Sequence, residues 1–321
     1  MSLRYTADYR TLLWCLAMPI VAMAQYVNPA LIPYLSPISC YLALSAGVIA
    51  HNHNHCPTFK SRRLNGWMGM WLAHFYGYPT FAWVPTHNLN HHKYVNKPGD
   101  ATITWRYTNK HNWLVASTYF FISSYWQSDP IKQYIAKARQ SNPTLYRQII
   151  TQYCMWAGLH LALLGVAIAW HGLGRGIMVW GFAFLIPALF ALWTIMFFNY
   201  IQHVHADAWS EHDHSRSFDG KLINFLLFNN GLHSAHHEVP GAHWSTLPQL
   251  HAKLAPEINP ELNQSSFFGW CFRVYVLAPF FPQFGTKQLG RAGFEPPSGE
   301  APELTSADVD ALESGINAAR T

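Results

Sequence analysis

Charge is what this chain has least of. Only 12% of its 321 residues are Asp, Glu, Lys or Arg, half of the roughly 25% carried by ordinary soluble domains. That cannot cover a globule of this size, so a purely water-soluble protein is excluded. Hydrophobic residues reach 50% and aromatics 16%, which also excludes disorder, coiled coil and collagen. The five cysteines (Cys15, Cys40, Cys56, Cys154, Cys271) form no C-x-x-C pair and suggest no disulfide framework. There is no internal repeat, and nothing points to nucleic acid. Histidine is the excess, with 19 residues against 16 Asp plus Glu.

The charge-free stretches predict the membrane segments. No Asp, Glu, Lys or Arg lies between Arg10 and Lys60, and Asn28-Pro29 with Pro33 breaks that run in two. The expected spans are about residues 11–27 and 31–51, then 148–171 and 176–198 around the turn Gly172-Leu173-Gly174-Arg175, each near the ~20 residues that cross a bilayer. Four spans make two hairpins and place both termini on one side. Of 21 Lys and Arg, only Arg175 falls in a far-side loop, so the positive-inside rule makes the near side cytoplasmic. Ala22-Met23-Ala24 has the form of a signal-peptide cleavage site, but the apolar run continues past it, which favours an uncleaved first span.

Leu64–Val84 is interrupted by Gly77 and Pro79 and predicts a re-entrant or interfacial helix. Trp113–Trp126 is too short to span, and Phe267–Phe281 carries Arg273 at its middle and belongs in the interface or packed on the cytoplasmic domain. These aromatic-rich segments are first of all packing and interface residues, with an acyl tunnel as their functional alternative. Residues 1–294 read as one membrane domain, and 295–321 as an acidic, flexible tail with a short helix capped at Thr305 or Ser306.

The histidines cluster: His51-Asn-His-Asn-His55, His87-Asn-Leu-Asn-His91-His92, Asn199-Tyr-Ile-Gln-His203, and His233-Ser-Ala-His236-His237. On a helix, residues four apart share a face, which aligns His51 with His55, His87 with His91, Asn199 with His203, and His233 with His237. His236 shares the face of His233, and His92 sits on the shoulder of its helix, able to serve a second metal. His53, at i+2, points away and is left out. The four clusters meet only if no odd crossing separates them, so neither Leu64–Val84 nor Trp113–Trp126 crosses singly.

Nine histidines plus Asn199, holding a water, are enough for two metals with about five ligands each. A structural zinc stops at four, and the soluble Glu-x-x-His di-iron pattern is absent. Asp207 and Glu238 are candidate partners for ligand N–H groups. Outside the clusters, His74, His160 and His171 read as packing residues, and His111, His205, His212, His214, His243 and His251 as surface or supporting residues.

These boxes, H-x(3)-H, H-x(3)-H-H, H-x(2)-H-H and N-x(3)-H, resemble those of the membrane fatty-acid desaturase superfamily over roughly residues 11 to 285. The resemblance implies an all-α integral membrane protein with four transmembrane helices under a cytoplasmic helical cap holding a di-iron site. It implies two Fe2+ bound by His51, His55, His87, His91, His92, His203, His233, His236 and His237, with Asn199 acting through water. It implies O2-dependent desaturation of an acyl chain carried as acyl-CoA, acyl-carrier protein, or free or lipid-bound acid. No His-Pro-Gly-Gly haem motif is present, so electrons are expected from a separate ferredoxin or cytochrome b5-type donor, in a bacterial inner membrane or the ER. Hydroxylases, ketolases, acetylenases and alkene-forming decarboxylases use the same boxes. A histidine-rich metal transporter is the rival of another class, but it should carry polar ligands near the bilayer midplane, where only His160 falls.

Overall fold

The computed structural model describes residues 2–297. The tail beyond residue 297, with its expected cap at Thr305 or Ser306, lies outside the described residues. The described chain is predominantly helical, with almost no strand, and divides into two compact units.

The first unit, Met1–Pro85 and Ile131–Ile195, holds most of the apolar helices. α1 (Asp8–Val27) stops at Asn28, whose side chain accepts from Ala30 N–H while Pro29 starts the next turn. α2 (Ile32–His55) packs against α1 and then against α3 (Arg62–Tyr76). Ser61 caps α3, and Gly77 ends it in the left-handed conformation at φ 90°, the conformation that glycine adopts without steric cost. A Cβ on Gly77 would also lie 2.3 Å from the Ala188 side chain. Past α4 (His92–Tyr94) and α5 (Trp113–Ser141) come α6 (Pro143–His171) and α7 (Leu173–Trp180), which a π turn joins to α8 (Ile186–His203). Asn142 caps α6 ahead of Pro143, the proline-at-N1 arrangement.

Small residues let these helices approach closely, as in membrane bundles. Ala22, Ala167 and Ala183 pack with Tyr26, Ile32, Val179 and Phe184, and a Cβ on Gly176 would lie 2.5 Å from the backbone of Ile168. Among the described residues, four helices are long and apolar enough to cross a membrane: Asp8–Val27, Pro29–His55, Pro143–His171 and Leu173–His203. Only 6% of the apolar window of Pro143–His171 is buried inside the protein, so its surface requires lipid rather than water. Each helix exceeds its expected span because the polar ends continue it. The box residues His55, Asn199 and His203 ride on those extensions, and His51 is the last residue of its expected span. The apolar stretch at 113–126 likewise continues through Pro130 into one helix, α5 (Trp113–Ser141).

The second unit, Thr86–Pro130 and Met196–Thr321, carries the remaining histidine boxes. Its first part is a π-helical segment (Val84–His91) running into α4 (His92–Tyr94). Val95 and Asn96 then reverse the chain at φ 44° and 61°. Asn96 ties that loop down: its Oδ1 accepts from Thr104 N–H, its Nδ2 donates to the carbonyl of His203, and its own carbonyl accepts from Trp105 Nε1. Beyond α8, β1 (Ser217–Phe218) pairs in parallel with β2 (Asn263–Gln264). Between them lie α9 (Lys221–Leu226), α10 (His233–Glu238) and α11 (Leu247–Leu254), and α12 (Phe267–Phe272) follows. Buried Ser215, Ser217 and Ser234 link hydroxyls around the start of α10, with Ser217 Oγ also accepting from Ser234 N–H. The six-residue α10 is thereby held at its first turn.

Candidate metal centre

Four histidines of the second unit, His91, His203, His233 and His237, offer one nitrogen each, all within 4.8 Å of one another. The Nε2 of His203 lies 3.1 Å from that of His91 and 2.8 Å from that of His233, and His237 Nε2 is 3.1 Å from His233 Nε2. Elementary proton accounting decides what these contacts mean. His91 Nδ1–H donates to Asp100 Oδ2 at 2.8 Å, and His203 Nδ1–H donates to the carbonyl of His214 at 3.1 Å. A neutral imidazole has one N–H, so both facing Nε2 atoms carry lone pairs. Two acceptors cannot bond each other. A cation between them satisfies both, and a set of neutral imidazoles is the donor chemistry of zinc, copper, iron and nickel. The residues fit a metal.

A second trio lies in the same unit. His92 Nε2 is 3.1 Å from His87 Nε2 and 3.0 Å from His236 Nε2, and His87 and His236 stand 3.4 Å apart. This partition differs from α-helical spacing, which pairs His87 with His91 and leaves His92 on the shoulder. The π turn holds more residues per turn, so residues five apart come into register and His87 meets His92. His91 turns to the other group. Box three also divides, His233 and His237 going one way and His236 the other.

In the first unit, the rings of His51 and His55 are 4.9 Å apart on the last turn of α2. His53 is a clip. Its Nδ1 lies 2.9 Å from Thr58 Oγ1 and its Nε2 3.2 Å from the carbonyl of Asn65, tying α2 to α3. Asn199 stands one turn before His203, and its Nδ2 donates to the hydroxyl of Tyr119 at 2.9 Å.

The supporting carboxylate requires a correction. Among the described residues no hydrogen bond joins Asp207 or Glu238 to a box histidine. Helix α8 ends at His203, so the four-residue spacing to Asp207 carries no shared face, and Asp207 instead caps a turn by accepting from Trp209 N–H. Glu238 is one residue from His237, a rotation of about 100° on a helix, which points it elsewhere. The carboxylate that meets a box histidine is Asp100, against His91. Burial opposes its ionisation, but the His91 ring and hydrogen bonds from Thr102 and Asn96 outweigh burial and hold the carboxyl below the ordinary range. One signal was present in the sequence: Asp100 is the only acidic residue between Asp8 and Asp129. His214, whose ring lies 5.2 Å from that of His237, was also missed. Burial, and then the neighbouring His91, push it down to about 4. Burial and the surrounding rings of His233, His92, His91 and His203 lower His237 as well.

The comparisons with known proteins agree with this geometry. The family model for fatty acid desaturase matches residues 27–270, most of the chain, and the histidine clusters fit its boxes. The chain belongs to the fatty acid desaturase family. A search of the curated proteins gives no match.

Proposed function

We propose that the protein is an O2-dependent di-iron desaturase that introduces a double bond into a fatty-acyl or related lipid chain. The observation that carries this reading is the pair of facing lone pairs on His91 and His203, which cannot bond each other and which a cation between them would satisfy. One ion falls to His91, His203, His233 and His237, and the other to His87, His92 and His236, with His51 and His55 added on the box pattern and Asn199 acting through water. Bound there, two irons supply the O2-dependent oxidation of an unactivated C–H bond.

The chain's own residues supply orientation. Asp100 and the His214 carbonyl each hold one ligand in the tautomer whose Nε2 is free, as hydrogen-bonded partners of ligating histidines commonly do. In the proposed topology the four spans form two hairpins, with both termini and the metal centre on the cytoplasmic side. Electrons then come from a soluble or membrane-anchored donor of the ferredoxin or cytochrome b5 type. Donor docking on basic residues such as Lys93, Lys132 and Arg139 would weaken as salt rises.

Desaturation and hydroxylation differ in what leaves the substrate, and placement of the chain to within about 1 Å decides between them. A vicinally deuterated acyl substrate, supplied with 18-O2 and a donor, separates the two. Loss of two deuteriums with no label in the product is expected, and 18-O in a hydroxyl or keto product would overturn the reading.

A further inference from the structure

Tyr119, on α5, is 3% exposed, and its hydroxyl meets two groups. It donates to the carbonyl of Thr102 and stands 2.9 Å from the side-chain amide of Asn199. A phenol has one hydrogen and a carbonyl can only accept, so the contact with Thr102 commits that hydrogen. The phenol oxygen is then an acceptor toward Asn199, and the amide must present Nδ2 to it. Oδ1 is turned the other way. Asn199 lies four residues before the ligand His203, on the same face of α8.

We propose that Tyr119 is a positioning residue: by donating to Thr102 it forces the Asn199 amide to offer Oδ1, an acceptor, to a water held by the adjacent metal. A water bound to a cation is a strong donor and a poor acceptor, so an amide turned over, with Nδ2 toward the water, would not hold it. Tyr119 thus selects one of two amide orientations that differ little in shape. This inference rests on the reading of the histidine cluster as a metal centre.

The test compares the wild-type chain, Tyr119→Phe, Asn199→Ala and the double variant, purified in detergent. The readouts are iron affinity by chelator competition, the Mössbauer spectrum of the 57Fe(II)-loaded protein, and thermal unfolding without metal. Tyr119→Phe is expected to lower iron affinity by about tenfold, the lower end of what loss of such supporting partners costs, and to alter one of two ferrous signals. It should have no further effect on either when Asn199→Ala is already present. An equal loss of affinity from Tyr119→Phe with and without Asn199→Ala would show that Tyr119 acts through packing or Thr102 alone, and would overturn the proposal. Unchanged affinity and spectrum in Tyr119→Phe would overturn it too. The metal-free melts report whether the hydroxyl contributes to the fold itself, and coupling between positions 119 and 199 is expected there as well. Wild-type protein that takes up no iron would overturn the metal centre and the role of Oδ1 together. Wild-type protein that loads iron, with no coupling between the two positions, would overturn only the role of Tyr119.

Discussion

His91 Nδ1 lies 2.8 Å from the carboxylate of Asp100, with both side chains almost wholly buried. The two residues are nine apart, joined by the reversal at Val95 and Asn96. Asp100 also receives the N–H groups of Asn96 and Thr102, so one carboxylate orients the His91 ring and closes its loop. Asp100→Asn keeps an acceptor oxygen but loses the charge. It should weaken iron binding by about 10- to 100-fold while the protein still folds. Metal analysis after chelator competition, alongside a thermal melt, measures both, and undiminished iron binding would remove Asp100 from the centre.

The partition of the boxes makes a prediction about stoichiometry. The purified chain should carry two irons. His92→Ala and His233→Ala should each weaken chiefly one of them, while His91→Ala and His236→Ala should abolish turnover. Quantitative iron analysis with Mössbauer spectroscopy reads this directly. Loss of the same single ion in His92→Ala and His233→Ala would contradict the division.

His53→Ala should leave iron content and turnover largely intact. It removes the contacts to Thr58 and to the Asn65 carbonyl, at a cost of about 1–3 kcal/mol for buried hydrogen-bonding groups left unpaired. A lowered melting temperature at full iron occupancy is the expected pattern. Lost iron at an unchanged melt would make His53 a ligand.

A second buried histidine pair contributes to the response to acid. His205 Nε2–H donates to the carbonyl of Asn109, so its Nδ1 accepts from Thr286 Oγ. Thr286 in turn accepts from His111 Nδ1–H, and His111 Nε2 accepts from Tyr275. The chain of bonds is complete only with both rings neutral. Burial lowers both histidines, with the neighbouring His205 and then Arg216 adding to the shift at His111. Below pH 6.5, the ordinary value, the unfolded chain takes up protons that the folded one refuses. Stability is therefore fully present above that value and falls as the pH drops, by up to about 1.4 kcal/mol per unit for each histidine. His205→Gln should flatten that slope in denaturant titrations of the detergent-solubilised protein. An unchanged slope would mean that other groups carry the acid sensitivity.

The proposed topology places Arg175 outside and Arg63 and Lys221 in the cytoplasm. Single cysteines at these positions, in a background lacking the five native cysteines, should divide accordingly toward an impermeant thiol reagent in intact cells. Labelling at 63 but not at 175 would invert the orientation.

Low charge, the uncharged runs and the spacing of the histidines were enough to identify four apolar helices and the histidine boxes. Both are properties of local order: an apolar helix needs only about 20 residues of its own sequence, and a box is a short, contiguous pattern. His53 could be set aside on the same grounds, because its position two residues from each neighbour puts it on another face. The grouping of the ligands was not legible, since a π turn looks like an α-helical one in sequence, and it is the turn that sends His91 to His203 and His92 to His87. The supporting groups were not legible either. Asp207 and Glu238 are near the boxes along the chain, but α8 stops at His203 and leaves Asp207 in a turn, while a left-handed reversal brings Asp100 back onto His91. Tyr119 reaches Asn199 across 80 residues of chain. Hydrogen-bond partners of this kind are set by where the chain reverses and which helices pack, and those are decided by the tertiary structure.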